Sequence, residues 1–278
     1  MGRADMSRIL QRLLRMVPLL LLLFFCSTAL IPAQFAPFDP FEQHAQDALQ
    51  PPSGTYWLGT DQFGRDILSR VIFGGRVAML VGLGSVVLAM VIGVPLGLIS
   101  GYYGGLLDAI IMRIQDALLS FPPVILALLI IASFGASALN VVLTIALVYV
   151  PRFARLVRGT ILQLKARDYV MASRSIGTPN SRILVRVILP NALAPIIVQA
   201  TLGMAVAILI ESGLSYLGLG IQPPTASWGN MLQHAQSYLH RAPWFVLAPG
   251  SFIFLSVLSI NLVGDRLREW MDPRLRTR

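Results

Sequence analysis

The chain has 278 residues, 55% of them hydrophobic and 13% charged, with a formal net charge of +9. Soluble domains carry about 25% charged residues, so the composition excludes an ordinary water-soluble domain. Several charge-free runs reach the roughly 20 residues that a membrane-spanning helix needs. Arginines gathered at the ends of those runs account for the positive charge through membrane orientation, which removes the argument for nucleic acid as a partner. The fold class expected is all-α, a polytopic integral membrane protein surrounded by membrane lipid.

In chain order, residues 1–15 form a basic N-terminal segment and 16–36 a first transmembrane helix, within the charge-free run Met16–Phe38. A basic start followed by Val17–Ile31 has the outline of a signal peptide, but no small-x-small cleavage site follows, which favours a retained helix. Cys26, the single cysteine, lies in this run. It therefore has no intrachain disulfide partner and is expected to be a small hydrophobe facing lipid or another helix. Residues 37–76 follow as an extracytoplasmic segment. Asp61, Arg65, Asp66 and Arg70, mixed with Phe63, Ile67 and Leu68, suggest an interfacial helix there that serves as an elbow into the second span.

A core domain, 77–278, holds five more spans. Val77–Leu107 is the second, and Gly93, Gly97 and Gly101 repeat every four residues on one face of it, a pattern that lets another helix approach closely. The run Ala117–Pro151 is too long for one helix and too short for two with a turn. It resolves if one helix starts near Met112, a second ends near Arg158, and the turn lies at 135–140. Val187–Ile210 and Ala242–Gly264 complete six spans. Pro95, Pro122-Pro123, Pro195 and Pro249 are expected to kink or unwind them. With six spans both termini share a side, which carries eighteen Lys and Arg residues, among them Arg3, Arg8, Arg12 and Arg15. Only Arg65, Arg70, Arg76 and Arg241 lie opposite. Both termini are therefore expected in the cytoplasm.

Several chemistries are disfavoured. The single lysine, Lys165, follows Gln163-Leu164 and belongs to no G-x-x-x-x-G-K phosphate loop, so this chain has no ATP site of that type. Asp108, Asp116 and Glu211 map near span ends, whereas ion-coupled carriers bury ionisable groups at mid-membrane. His44, His234 and His240 lie outside the spans and no G-x-S-G serine is present, which argues against an intramembrane hydrolase. No two histidines share a helical face within a span, so no metal site is expected. Glu211 is expected to cap or brace a chain reversal after Ser212-Gly213. Ser133, Asn140, Thr144, Gln199 and Thr201 are expected mostly in helix–helix hydrogen bonds. If solute moves through this chain, the energy comes from elsewhere.

The polar island between the fourth and fifth spans is where it could enter. Residues 168–176 pattern as a short helix, with Tyr169, Ala172 and Ile176 at helical spacing and Val170 and Ser173 flanking. Asp168 suits the helix start, by charge and as a cap. Gly177 suits its end, because glycine adopts the left-handed conformation without steric cost. Pro179 and Asn180 turn the chain, Ser181 is placed to cap the next helix, and Pro190 marks the entry to the fifth span. By spacing alone this is either a lever that inserts an apolar face into a partner or an amphipathic loop on lipid headgroups.

The island resembles the EAA loop of ABC-importer permeases, E-A-A-x-x-x-G-x9-I-x-L-P, at Met171-Ala172-Ser173, Gly177, Val187, Leu189 and Pro190. Met171 stands where that pattern has its acid, and Ser173 where it has its second alanine. Trp57–Arg70, Glu211–Pro224 with Trp228-Gly229, and Asn261–Arg268 with Asp272-Pro273 resemble segments of the dipeptide/oligopeptide/nickel permeases, in particular the C-type partner of a heterodimer. The resemblance implies a type I ABC importer permease fold with a cytoplasmic coupling loop at 159–190. It implies ATPase coupling through Tyr169, Val170, Met171, Ala172, Ser173, Arg174, Ile176, Gly177 and Pro190. The partners it implies are a homologous second permease, two cytoplasmic ATPase subunits that bind ATP and Mg, and an extracytoplasmic solute-binding protein. The location implied is the bacterial inner membrane. Peptide is the substrate expected, with nickel or another small solute as the alternative within the same class and an ion-coupled secondary carrier as the alternative outside it.

Overall fold

The computed structural model describes the backbone of residues 3–271 and side chains from Met16 to Met271. The basic residues expected at 3–15 and the Asp272-Pro273 motif fall outside the described side chains. Among the described residues there is no β-strand; the chain is a succession of helices.

Helix α1 covers Arg3–Leu30, so it begins well before the residue 16 expected from hydropathy. It stops before residue 36 because Pro32 holds Ile31 out of helical conformation, at φ −131° and ψ 57°, and a four-residue helix α2, Pro32–Phe35, follows. No helix forms over Trp57–Asp66. That stretch is a run of tight turns, and the elbow expected there is built as a loop. Asp66 ends it by capping α3, Ile67–Tyr103, with its carboxylate accepting from the Ser69 amide at 2.7 Å. The second long helix thus starts at Ile67, ten residues before the expected boundary at 77.

Glycine spacing along α3 decides what packs on it. A Cβ at Gly93 would lie 2.7 Å from Phe153 Cβ, and at Gly97 2.5 Å from the Ala154 carbonyl oxygen. At Gly101 it would lie 2.9 Å from Ile161 Cβ. All three neighbours belong to α6, Ala138–Leu164, so the stripe is a helix–helix seam, as its spacing indicates. Between them the chain forms α4, Gly105–Leu119, and α5, Pro123–Phe134. The single helix expected from Met112 is instead two, bent by 87° at the Pro122-Pro123 pair, where the missing N–H groups interrupt the ladder. The turn falls where expected: Gly135 ends α5, Ser137 caps α6, and the Asn140 amide donates to the Phe134 and Gly135 carbonyls.

A short helix α7, Asp168–Ser175, leads through a turn to α8, Asn180–Arg182, then a π-helical segment, Ile183–Ile188, and α9, Leu189–Tyr216. Helix α10, Trp228–Ala235, and α11, Pro243–Met271, complete the chain. Helices α3, α6, the continuous stretch 180–216 and α11 are each long and apolar enough to cross a membrane, and α4 with α5 makes a fifth candidate as one broken span.

Two apolar cores result. One joins α3, α5, α6 and α9 with Val170 of α7 and Ile183, Leu184 and Ile188 of the π segment. The other gathers α1, the start of α3, α9 and α11 around Trp228. That indole is fully buried, donates from Nε1 to the Val71 carbonyl at 2.8 Å, and meets the rings of Phe25 and Phe252 edge-on.

Candidate coupling site

Helix α7 is short because its sequence ends it. Gly177 has φ +76°, its N–H donates to the Arg174 carbonyl, and the Thr178 N–H donates to the Ser173 carbonyl. This pair of bonds is a complete Schellman motif, so α7 ends in a fixed turn. Its start is looser than the sequence indicates. Arg167 holds the cap position with no side-chain bond, and Asp168 lies inside the first turn, where its charge favours the helix dipole without capping it. Likewise Pro179, not Ser181, precedes α8.

The structure separates the nine candidate coupling residues by exposure. Tyr169, Met171, Ala172, Arg174, Ile176, Gly177 and Pro190 are exposed, with Ile176 82% exposed. Ser173 is half-buried, and its hydroxyl is satisfied within its own helix by the Tyr169 carbonyl at 2.8 Å. Val170 differs. It is fully buried in the first core, so it anchors α7 by packing rather than by presenting surface to a partner. Tyr169, Ala172 and Ile176 thus share an outward face, and Val170 is the root that fixes the direction of that face.

Below the turn the chain runs helically from Asn180 into α9. The π segment closes with the Leu189 N–H donating to the Leu184 carbonyl, directly before Pro190. Proline lacks the N–H an α ladder would need there, and a wider turn accommodates that loss. The Asn191 amide donates to the Val187 carbonyl at 2.6 Å and satisfies another backbone acceptor. The loop therefore has no flexible joint between α8 and α9.

Sequence reasoning missed the anchor on α3. The Tyr102 hydroxyl donates to Asn180 Oδ1 at 2.7 Å, and the Arg174 guanidinium lies over the Tyr102 ring, 5.1 Å from its centroid. Lys165 Nζ donates to the Gly101 carbonyl at 2.9 Å. Beside them Arg158 forms a two-pronged ion pair with Asp108, 2.6 Å on each arm, and Ser100 donates to the same carboxylate. The aromatic pair Tyr102-Tyr103 before Gly104-Gly105 was the signal available, since aromatic side chains gather at membrane interfaces.

The opposite end of the helices is built differently. Asp61 is fully buried and accepts from Arg65 Nε at 2.7 Å, with Arg70 Nε at 3.5 Å. Arg70 also donates to the Pro40 carbonyl at 2.9 Å. His234 on α10 is held below the usual imidazole range by partial burial and by the positive charges of Arg65 and Arg70. Glu211 does not sit at the chain reversal, because α9 continues to Tyr216. Glu211 is instead fully buried and accepts from the Ser215 hydroxyl at 2.8 Å, which in turn accepts from the Ile221 N–H at 3.0 Å. It braces the 217–227 loop through Ser215. The polar residues Ser133 and Thr201 bond to carbonyls of their own helices and Asn140 to the α5–α6 turn, rather than across helices. Gln199 lines a cavity of about 480 Å³ between α6, α9 and the end of α11, with Leu156, Val198 and Arg268.

Membrane-length helices in this arrangement are the fold of ABC-importer permeases. A chain of the MetNI methionine ABC transporter, solved in inward-facing conformations, superposes with a TM-score of 0.61 at 19% identity, covering 73% of this chain and 96% of that one. A chain of an amino acid ABC transporter gives 0.57 at 16% identity, covering 73% and 94%. Residues 93–277 match the family described as binding-protein-dependent transport system inner membrane component. The dipeptide transport system permease protein DppC of Alkalihalophilus pseudofirmus is 44% identical over 92% of this chain and 85% of its own length. The di/tripeptide permease DppC of Pseudomonas aeruginosa is 45% identical over 92% and 86%. The glutathione permease GsiD of Pectobacterium atrosepticum is 43% identical over 87% and 80%. The chain belongs to the binding-protein-dependent transport system inner membrane component family, and it is a multi-pass membrane permease subunit rather than an enzyme.

Proposed function

We propose that this chain is the transmembrane subunit of an ATP-driven importer of di- or oligopeptides in the bacterial inner membrane. It pairs with a homologous permease, two cytoplasmic ATPase subunits and an extracytoplasmic binding protein. ATP and Mg are held by the ATPases. The short-peptide substrate is supported by the relatives, which are named for dipeptides, di- and tripeptides and glutathione. Six spans with both termini cytoplasmic fit the basic residues, with α1, α3, the α4–α5 pair, α6, 180–216 and α11 as the spans. That orientation puts α7 in the cytoplasm.

The observation that carries the coupling role is the exposed face of α7 above a closed turn, joined without a flexible joint to a membrane-length helix. ATPase closure pushes on 168–177, and the rigid 180–216 stretch converts that push into tilt of α9, which exchanges the inward- and outward-facing pathways. The test is uptake by proteoliposomes holding the complete transporter. Labelled dipeptide, delivered by the binding protein, accumulates with ATP inside and stays out when a proton gradient replaces ATP. ATP-driven accumulation of nickel in place of peptide overturns the substrate. Uptake by this chain alone, driven by the gradient, overturns the class.

A further inference from the structure

The contacts of the loop point beyond α9. Residues 165–182 reach the last turn of α3 at three separate places: Lys165 from before α7, Arg174 from its last turn, and Asn180 from the start of α8. All three end on Gly101 or Tyr102. The Lys165 ammonium binds a carbonyl at the negative end of α3, where cations are favoured. Tyr102 is buried apart from 6% of its surface, so loss of its hydroxyl's acceptor leaves a polar group poorly solvated. Its ring carries Arg174 on one face while its hydroxyl holds Asn180, so one side chain grips the loop on both sides of the Gly177 turn. Helix α3 is itself locked to α6 through Gly93, Gly97 and Gly101. A displacement of the end of α3 is therefore shared by α6.

We propose that Tyr102 is a positioning residue that ties the coupling loop to α3, so that movement of α7 reaches the α3–α6 pair as well as α9. This rests on the reading of α7 as the ATPase contact. With the tie intact the two helix units move in step. Without it α7 still receives the push and passes it to α9. Helix α3, held to the loop only through Lys165, follows incompletely, so ATP is hydrolysed without a complete change of pathway.

The test is the number of peptides taken up per ATP hydrolysed by the complete reconstituted transporter. Tyr102→Phe, which keeps the ring for Arg174 and removes the bond to Asn180, is expected to keep its ATPase rate while the ratio falls roughly fivefold, the worth of one hydrogen bond. Asn180→Ala removes the same bond from the loop side and carries the same expectation, so the result does not depend on one variant folding. Asn180→Asp keeps the acceptor and restores the ratio. The double variant Tyr102→Phe/Asn180→Ala is no worse than either single one, because both remove one interaction. Wild-type ratios in both single variants, losses that multiply, or uptake and hydrolysis that fall together at constant ratio overturn the proposal. Ala172→Glu separates the two readings. If it uncouples while Tyr102→Phe does not, the Tyr102 tie alone is wrong. If neither variant changes the ratio, the ATPase contact itself is wrong.

Discussion

The two ends of the helices solve opposite problems with the same residue types. At the α10 end, charges and a large aromatic are enclosed: Asp61 with Arg65 and Arg70, Glu211 with Ser215, Trp228 over the start of α3. At the α7 end, Tyr169 and Arg174 stay exposed, a single valine roots the helix, and the remaining ties run to one turn of α3. Enclosed ion pairs and packed rings are costly to rearrange, so the first end holds its shape. Partly exposed polar contacts rearrange at low cost, so the second end can be displaced as a unit without unfolding. A lever needs both, a fixed frame and a movable handle.

Substitutions at the two ends should break that contrast in different ways. The largest effect is expected for Trp228→Ala, which empties a fully buried site and removes the bond to Val71. About 3–5 kcal/mol of stability is lost, seen as failure to accumulate in the membrane or a steep drop in melting temperature in detergent. Asp61→Asn comes next, because Arg65 and Arg70 keep buried charges without their partner. The cost is about 3 kcal/mol, read as a lower melting temperature, and ATPase coupling in the folded fraction is unchanged. Ile176→Ser lies at the other extreme. It alters an exposed residue, so stability stays within about 0.5 kcal/mol of wild type and the melting temperature barely moves, while affinity for the ATPase subunits weakens. A stability loss at Ile176 as large as that at Asp61 would erase the distinction between frame and handle.

The same contrast explains what was legible in the sequence. Gly177, the spacing of Tyr169, Ala172 and Ile176, the Gly93–Gly97–Gly101 stripe and the Pro122-Pro123 break are local signals, and each did in the fold what its local chemistry dictates. Val170, in contrast, looks like part of the exposed face by sequence adjacency, and only the packing of α7 against the π segment buries it. Charge density at Asp61–Arg70 suggested a surface helix, because nothing local says that these charges pair with one another inside a loop. The early start of α3 was hidden by Arg70 and Arg76, which interrupt the apolar run although α3 passes through both. Glu211 was placed at a turn because Ser212-Gly213 look like turn residues, whereas tertiary packing carries α9 to Tyr216. Tyr102 was missed because its partners lie more than seventy residues away, at Arg174 and Asn180.

The central claim is that force enters through the outward face of α7. Ala172 lies in the middle of that face, and an acid there changes the contact without touching the frame. The most direct measurement is peptide uptake and ATP hydrolysis recorded together for Ala172→Glu in the complete transporter, at matched amounts in the membrane. The account predicts a normally accumulated complex that hydrolyses ATP but no longer drives uptake in proportion to it. Normal uptake per ATP by a well-assembled Ala172→Glu complex contradicts it.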